Sequence, residues 1–190
     1  MRTFIAIEVS KEIQETLGQI ETGLKYAGAD VKWVNPAIIH LTLKFLGEIT
    51  NEKIDDVKIA LDAIASRAAP FDLSIKDIGA FPQVEHPKVL WVGLDKGSRE
   101  TVSLASGVDE ALSQIGFTKE ERPFSPHLTI GRVRSPHNRI KLAEKVASTA
   151  ANIRFSEIPA HRVSSVVLFH STLTSHGSIY AKLHEASFRL

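Results

Sequence analysis

Polar and apolar residues alternate with a period of two along residues 3–9. Thr3, Ile5, Ile7 and Val9 fall on one face, and Phe4, Ala6 and Glu8 on the other. That period marks a β-strand. Behind Ser10, a plausible N-cap, the period lengthens to three and four through Ile13, Leu17, Ile20 and Leu24, which predicts a helix ending near Gly28. The segment 33–36 leads into a second alternating run from His40 to Gly47. A second helix comes next on Ile54, Val57, Leu61 and Ile64, capped by Thr50 or Asn51 and stopped by Pro70. Residues 71–78 read as a strand and 79–88 as a loop rich in glycine, proline and charge.

The order then begins again. Residues 89–94 predict a strand. Val102, Ala105, Val108 and Leu112 predict a helix, and Gly116 with the charged run 119–122 predicts a loop. A strand starts at His127, residues 138–147 form a helix and 155–158 a short strand. Two last strands, 163–171 and 178–188, flank a loop holding Gly177. The two histidine-led strands are 87 residues apart, from position 40 to 127. Shifting by 87 carries residues 3–9 onto 90–96, Lys11 onto Ser98 and Asn51 onto Asn138, so strands land on strands and helix starts near helix starts. This predicts an internal duplication of a strand–helix–strand–helix–strand unit. It covers approximately residues 1–80 and 88–160, with strands at 163–188 added, in one bilobal domain spanning 1–190. The fold class is α+β: two pseudo-symmetric, antiparallel-rich sheets with helices on their outer faces and a central cleft.

The histidine-led strands carry the candidate chemistry. In His40-Leu41-Thr42-Leu43 and His127-Leu128-Thr129-Ile130, His and Thr share one face while the aliphatic residues share the other. Leu41, Leu43, Phe45, Leu128 and Ile130 then point to a core. His40, Thr42, Lys44, His127 and Thr129 form a polar face. Histidine titrates near neutrality, so one imidazole can take a proton while the other gives one. Threonine hydroxyls and a cation suit the non-bridging oxygens of a phosphate; Lys44 and Arg132 are the candidate cations.

Composition narrows the classes. Twenty-three basic residues stand against 22 acidic ones, which speaks against a strongly basic nucleic-acid coat protein but not against a local basic site. There are no cysteines, which excludes disulfides, thiolate nucleophiles and cysteine-based zinc sites. The ligand spacings familiar from metal sites are absent, so the chemistry calls for no metal and no cofactor. The apolar start is too short for a signal peptide and no apolar run suits a bilayer span. The simplest expectation is a cytoplasmic monomer with no membrane partner.

With these motifs the sequence resembles the two-histidine phosphoesterases. Within them it is most similar to the LigT-like RNA 2′,3′-cyclic phosphodiesterases, once called 2′-5′ RNA ligases. The opening residues 2–7 and the extended blocks 40–47 and 127–133 carry the likeness, which spans nearly the whole chain. It implies metal-independent opening of RNA 2′,3′-cyclic phosphate ends to 2′-phosphates, with 2′-5′ ligation of tRNA fragments as associated chemistry. It further implies that His40 is the proton donor, His127 the proton acceptor, and Thr42 and Thr129 the phosphate holders. Arg132 matches a phosphate-binding arginine of the family, yet by strict alternation it falls on the core face and reaches the site only if the strand ends or bulges there.

Phe4 and, by the 87-residue shift, Trp91 are out of phase with their strands' core residues; they either stack on bases or pack the lobes together. Arg132, Arg134, Arg139, Lys141 and Lys145 form a basic run that either tracks RNA phosphates or is a solvated face. His86, His137, His161, His170, His176 and His184 have no repeat partner and read as structural or surface residues. Two alternatives stand beside the enzyme reading: a phosphodiesterase for another small 2′-5′ or cyclic nucleotide, and a non-catalytic RNA-binding module.

Overall fold

The computed structural model describes residues 1–175 and 177–189; His176 and Leu190 lie outside the described residues. Strand β1 (Arg2–Glu8) is followed by helix α1 (Lys11–Lys25), capped by the Ser10 hydroxyl, which accepts from the Ile13 N–H at 3.4 Å. β2 (Val31–Trp33) and a 3-10 turn at Pro36–Ile38 lead into β3 (His40–Glu48). Thr50 caps α2 (Asn51–Ala65) through the Lys53 N–H. Then come β4 (Phe71–Leu73), β5 (Ile75–Phe81), β6 (Val89–Leu94), α3 (Ser98–Gln114), β7 (His127–Val133) and α4 (Arg139–Asn152). β8 (His161–Val163), β9 (Ser165–Thr174) and β10 (Gly177–Ser187) close the chain.

Several expectations are corrected. Residues 155–158 form a 3-10 turn at Phe155–Glu157 instead of a strand, closed by the Ile158 N–H on the Phe155 carbonyl at 3.2 Å; the strand in this region is β8, which pairs with β4. The single strand at 71–78 is two strands parted at Ser74, because β4 pairs with β8 whereas β5 pairs with β6. The loop at 79–88 begins after Phe81, since Gly79, Ala80 and Phe81 all stay in the β5–β6 ladder. On α3 the buried stripe is Thr101, Leu104, Ala105, Val108 and Leu112, and Val102 is turned outward. Thr101 replaces it inside because its hydroxyl donates to the Gly97 carbonyl one turn back, at 2.6 Å, leaving only its methyl to pack.

All strand pairs are antiparallel. One sheet runs β10–β9–β1–β3, the other β2–β7–β6–β5, and β4–β8 forms a small third pair. The sheets do not follow the order of the chain. β2 precedes β3 in sequence but pairs with β7, while the final hairpin β9–β10 joins β1. Helices cross between the halves in the same way: α1 meets α4 and α2 meets α3. Their apolar stripes join Ile5, Ile7, Leu41 and Leu43 of one sheet to Leu90, Val92, Leu128 and Ile130 of the other in one continuous buried cluster. Truncating one of these leucines to alanine costs about 2–5 kcal/mol. A separate small cluster of Phe4, Ala6, Val167 and Phe169 covers the opposite face of the first sheet. That face carries His40.

Candidate active site

β3 and β7 touch each other where the two sheets meet, and each holds one motif. In both, the strand ladder skips a single residue within the four-residue motif. Ile5 lies opposite Lys44 and Ala6 opposite Thr42, so Leu43 is the extra residue in β3. Leu90 lies opposite Gly131 and Trp91 opposite Thr129, so Ile130 is the extra residue in β7. A bulge of this kind reverses the phase of the residues beyond it. Both bulges fall three residues after the histidine, 87 residues apart.

The phase change decides the fate of three candidates. Arg132 comes onto the face of His127 and Thr129: it pairs with Val89, which shares its face with Trp91. Lys44 is turned away from the cleft and is 4% exposed. Its ammonium donates to Asp109 Oδ1 at 2.6 Å, to the Thr118 carbonyl at 2.8 Å and to Glu120 Oε1 at 3.4 Å. All three N–H groups are thereby used, and none is left for a phosphate. Lys44 instead fastens β3 to α3 and to the loop that leads to His127. Phe45, expected in the core, is 60% exposed and lies beside Phe4 across the ladder, their ring centres 6.1 Å apart.

The two histidines are held alike. His40 Nδ1 lies 2.9 Å from the Ile38 carbonyl, and His127 Nδ1 lies 2.7 Å from the Ser125 carbonyl. A carbonyl only accepts, so the hydrogen is assigned to Nδ1 in each ring, and Nε2 is left as the atom that exchanges a proton. Aromatic rings brace both. Phe4 stacks on His40 at 4.6 Å and Tyr180 meets it edge-on at 5.1 Å. Phe81 meets His127 edge-on at 5.0 Å and packs on Trp91 at 5.3 Å.

Phe4 is therefore not a free platform for a base: it is 3% exposed, enclosed by His40, Phe169 and Tyr180. Nor is Trp91 its counterpart. With Thr42 matched to Thr129, the ladders set Ala6 against Trp91 and Phe4 against Val89, an offset of 85. The stretch from the first strand to the histidine strand is two residues longer in the second half. Because two is an even number, Trp91 still faces the cleft side. Its ring lies over Gly79, where an added Cβ would collide with it, and close to Gly93, where one would be tightly crowded. It is half-buried, and among the described residues its buried Nε1 has no hydrogen-bond partner.

Phe81, Phe169, Tyr180 and Glu8 are site residues the sequence reading did not single out. Phe169 pairs with Phe4 and Phe81 with Val89, so the two phenylalanines occupy matching places in the two sheets. The only signal for them was their strand phase, which could not be used before their partners were known.

Burial lowers the pKa of His40, offset in part by the bond to Ile38 and by the negative charge of Glu8. Burial also lowers that of His127; the Ser125 bond opposes this and the Arg132 charge adds to it. Thr42 and Thr129 are half-buried, and among the described residues neither hydroxyl has a protein partner. Of the basic run, Arg134, Arg139, Lys141 and Lys145 are exposed, and Arg139 bonds His86 at 3.1 Å. His184 pairs with Asp62 at 2.7 Å and His137 with Asn138 at 3.1 Å. Among the described residues no three side chains are grouped as metal ligands, and no helix is long and apolar enough to cross a membrane.

Two histidine-led strands, each with a hydroxyl on the same face and fixed Nδ1 hydrogens, define a phosphoester-processing acid/base site between two lobes. The family model described as "LigT like Phosphoesterase" matches residues 7–91 and again 92–180, and the chain belongs to that family. It is 35% identical over 184 residues to the RNA 2′,3′-cyclic phosphodiesterase of Methanothermobacter thermautotrophicus, covering 96% of each chain. It is 36% identical over 188 residues to that of Aquifex aeolicus, covering 97% of this chain and 96% of the other. Among solved structures, a Thermus thermophilus protein superposes with a TM-score of 0.79 at 25% identity, over 100% of this chain and 98% of that one. Escherichia coli LigT complexed with 3′-AMP superposes with a TM-score of 0.78 at 22% identity over the same shares.

Proposed function

We propose that this protein opens RNA 2′,3′-cyclic phosphates to 2′-phosphomonoesters. Water attacks the phosphorus and gives its proton to His127 Nε2. The P–O3′ bond breaks, and His40 Nε2 delivers a proton to the departing oxygen. Thr42, Thr129 and Arg132 hold the non-bridging oxygens, where donors to developing negative charge are worth most. With a 5′-hydroxyl in place of water, the same proton transfers join two RNA ends through a 2′-5′ linkage. The observation that carries this reading is geometric: two adjacent strands each present a histidine whose Nδ1 is held by a backbone carbonyl, leaving Nε2 to exchange a proton, with a threonine two residues further on. Burial lowers the pKa of both rings; the nearby Glu8 opposes this at His40 and Arg132 adds to it at His127, which fits His40 as the acid and His127 as the base. Both rings come from one chain, which supports action as a monomer; ends of tRNA fragments in the cytoplasm fit as substrates.

The test is incubation with a 2′,3′-cyclic mononucleotide in EDTA and identification of the product by phosphorus NMR. A 2′-phosphate is expected. A 3′-phosphate, or turnover only after divalent metal is added, overturns the proposal.

A further inference from the structure

A pocket of about 190 Å³ opens on the face of His40, lined by Glu8, Gln14, His40, Phe169, Tyr180 and Lys182 together with residues 37–39. None of the phosphate-holding side chains lines it. It shares only the His40 ring with the reacting centre.

The strand ladders explain how it forms. Lys182 pairs with Phe169 and Phe169 with Phe4, while Glu8 lies beside His40. Directly paired residues share a face, so β10, β9 and β1 each place a pocket residue on the cleft side. Its walls are aromatic and its rim is charged. Lys182 Nζ lies 2.6 Å from Glu8 Oε2 and 3.2 Å from Glu185 Oε2, which leaves one of its three N–H groups unused. Glu8 Oε1 has no partner among the described residues. A free donor therefore stands next to a free acceptor beside the aromatic walls formed by Phe169 and Tyr180.

Resting on the cyclic phosphodiesterase reading, we infer that this pocket receives the base of the nucleotide carrying the cyclic phosphate, and that the Glu8–Lys182 pair reads its Watson–Crick edge with a preference for guanine. A ribose 2′,3′-cyclic phosphate held at His40 must place its base nearby, and single bases are recognised by stacking and by their exposed edges. Guanine offers two neighbouring donors, N1–H and N2–H, to one carboxylate, and an acceptor, O6, to the ammonium. Adenine, cytosine and uracil each offer one donor and one acceptor to the same pair, so guanine gains one charge-assisted hydrogen bond over them.

The experiment compares kcat/KM for the 2′,3′-cyclic phosphates of guanosine, inosine, adenosine, cytidine and uridine. It also measures binding of 2′-GMP and 2′-AMP by calorimetry. Guanosine should lead by roughly tenfold, and inosine, which lacks N2–H, should lose about that factor. In Lys182→Met and Glu8→Gln the guanosine-to-adenosine ratio should fall to near unity, whatever happens to the absolute rates. Turnover of all five substrates at equal rates, or a guanosine preference unchanged in both variants, removes the base from this pocket. Turnover of none would defeat the activity itself. In that case the 2′-GMP to 2′-AMP affinity ratio, wild type against the two variants, still decides the pocket.

Discussion

Glu8 stands opposite His40 in the β1–β3 ladder, and its negative charge raises the pKa of a ring that burial lowers. His40 must be protonated to act as the acid, so its pKa sets the alkaline limb of the kcat/KM profile. Glu8→Gln removes the supporting charge and should move that limb to lower pH. Arg132 acts oppositely on His127, whose pKa sets the acid limb. Arg132→Met should move that limb to higher pH. Because burial lowers both rings, the wild-type bell should centre on the acid side of the ordinary histidine value of ~6.5. Limbs that stay put in both variants would separate these charges from catalysis.

A cyclic substrate with sulfur at the 3′ position distinguishes the two rings. A thiolate leaves without a proton, since thiols have an ordinary pKa of ~8.5. His40→Ala should therefore recover roughly 10²–10⁴-fold on this substrate, while His127→Ala should stay inactive for want of a base. Recovery of His127→Ala instead would reverse the assignment.

The half-buried Thr42 and Thr129 hydroxyls await a partner. Thr42→Val and Thr129→Val keep the shape and remove one hydrogen bond to a charged oxygen, worth ~1.5–3 kcal/mol. Each should lower kcat/KM roughly ten- to a hundredfold. Wild-type rates in both would take the hydroxyls out of the site.

Lys44 is a fastening residue in this structure. Lys44→Met leaves Asp109 and Glu120 facing each other beside an apolar side chain. Breaking a buried pair from one side costs ~3–5 kcal/mol, and access of both carboxylates to solvent puts the expected loss near the low end. Urea unfolding should show it, while inhibition by inorganic phosphate should be unchanged. Weakened phosphate inhibition at full stability would return Lys44 to the cleft.

Glu21 is buried on α1, and desolvation pushes its pKa up to about 7, with Lys25 at 3.5 Å only partly opposing this. The folded state thus holds a proton that the unfolded chain gives up above the ordinary value of 4.5. Stability linked to that proton is present below pH 4.5 and lost as pH rises through about 7. Glu21→Gln should abolish this dependence, stabilising the protein at pH 8 relative to pH 5 by an amount of order ~1–3 kcal/mol. Parallel melting-temperature curves for both proteins would refute it.

The sequence disclosed what depends on neighbours along the chain. Ser10 and Thr50 cap their helices, the stripe from Ile13 to Leu24 is buried, and His40, Thr42, His127 and Thr129 share strand faces as alternation requires. What escaped depends on pairing. A bulge is a property of two strands, so alternation alone sent Lys44 to the cleft and Phe45 to the core. β2 was missed because three residues carry no period, and only β7 makes them a strand. Tyr180 and Phe169 reach His40 from the far end of the chain, where no local pattern connects them to it.

The pairing of Thr3 with His170 and of Ala6 with Val167 also governs synthesis. β1 is made long before β9, so one of its edges stays open until residues 165–174 have followed it. The site beneath His40 is thus completed last, by a hairpin whose contacts span almost the full length of the sequence. Such distant closures slow folding relative to local ones. A nascent chain stalled before residue 165 would hold both motif histidines but lack the Phe169 and Tyr180 rings that pack around the first of them.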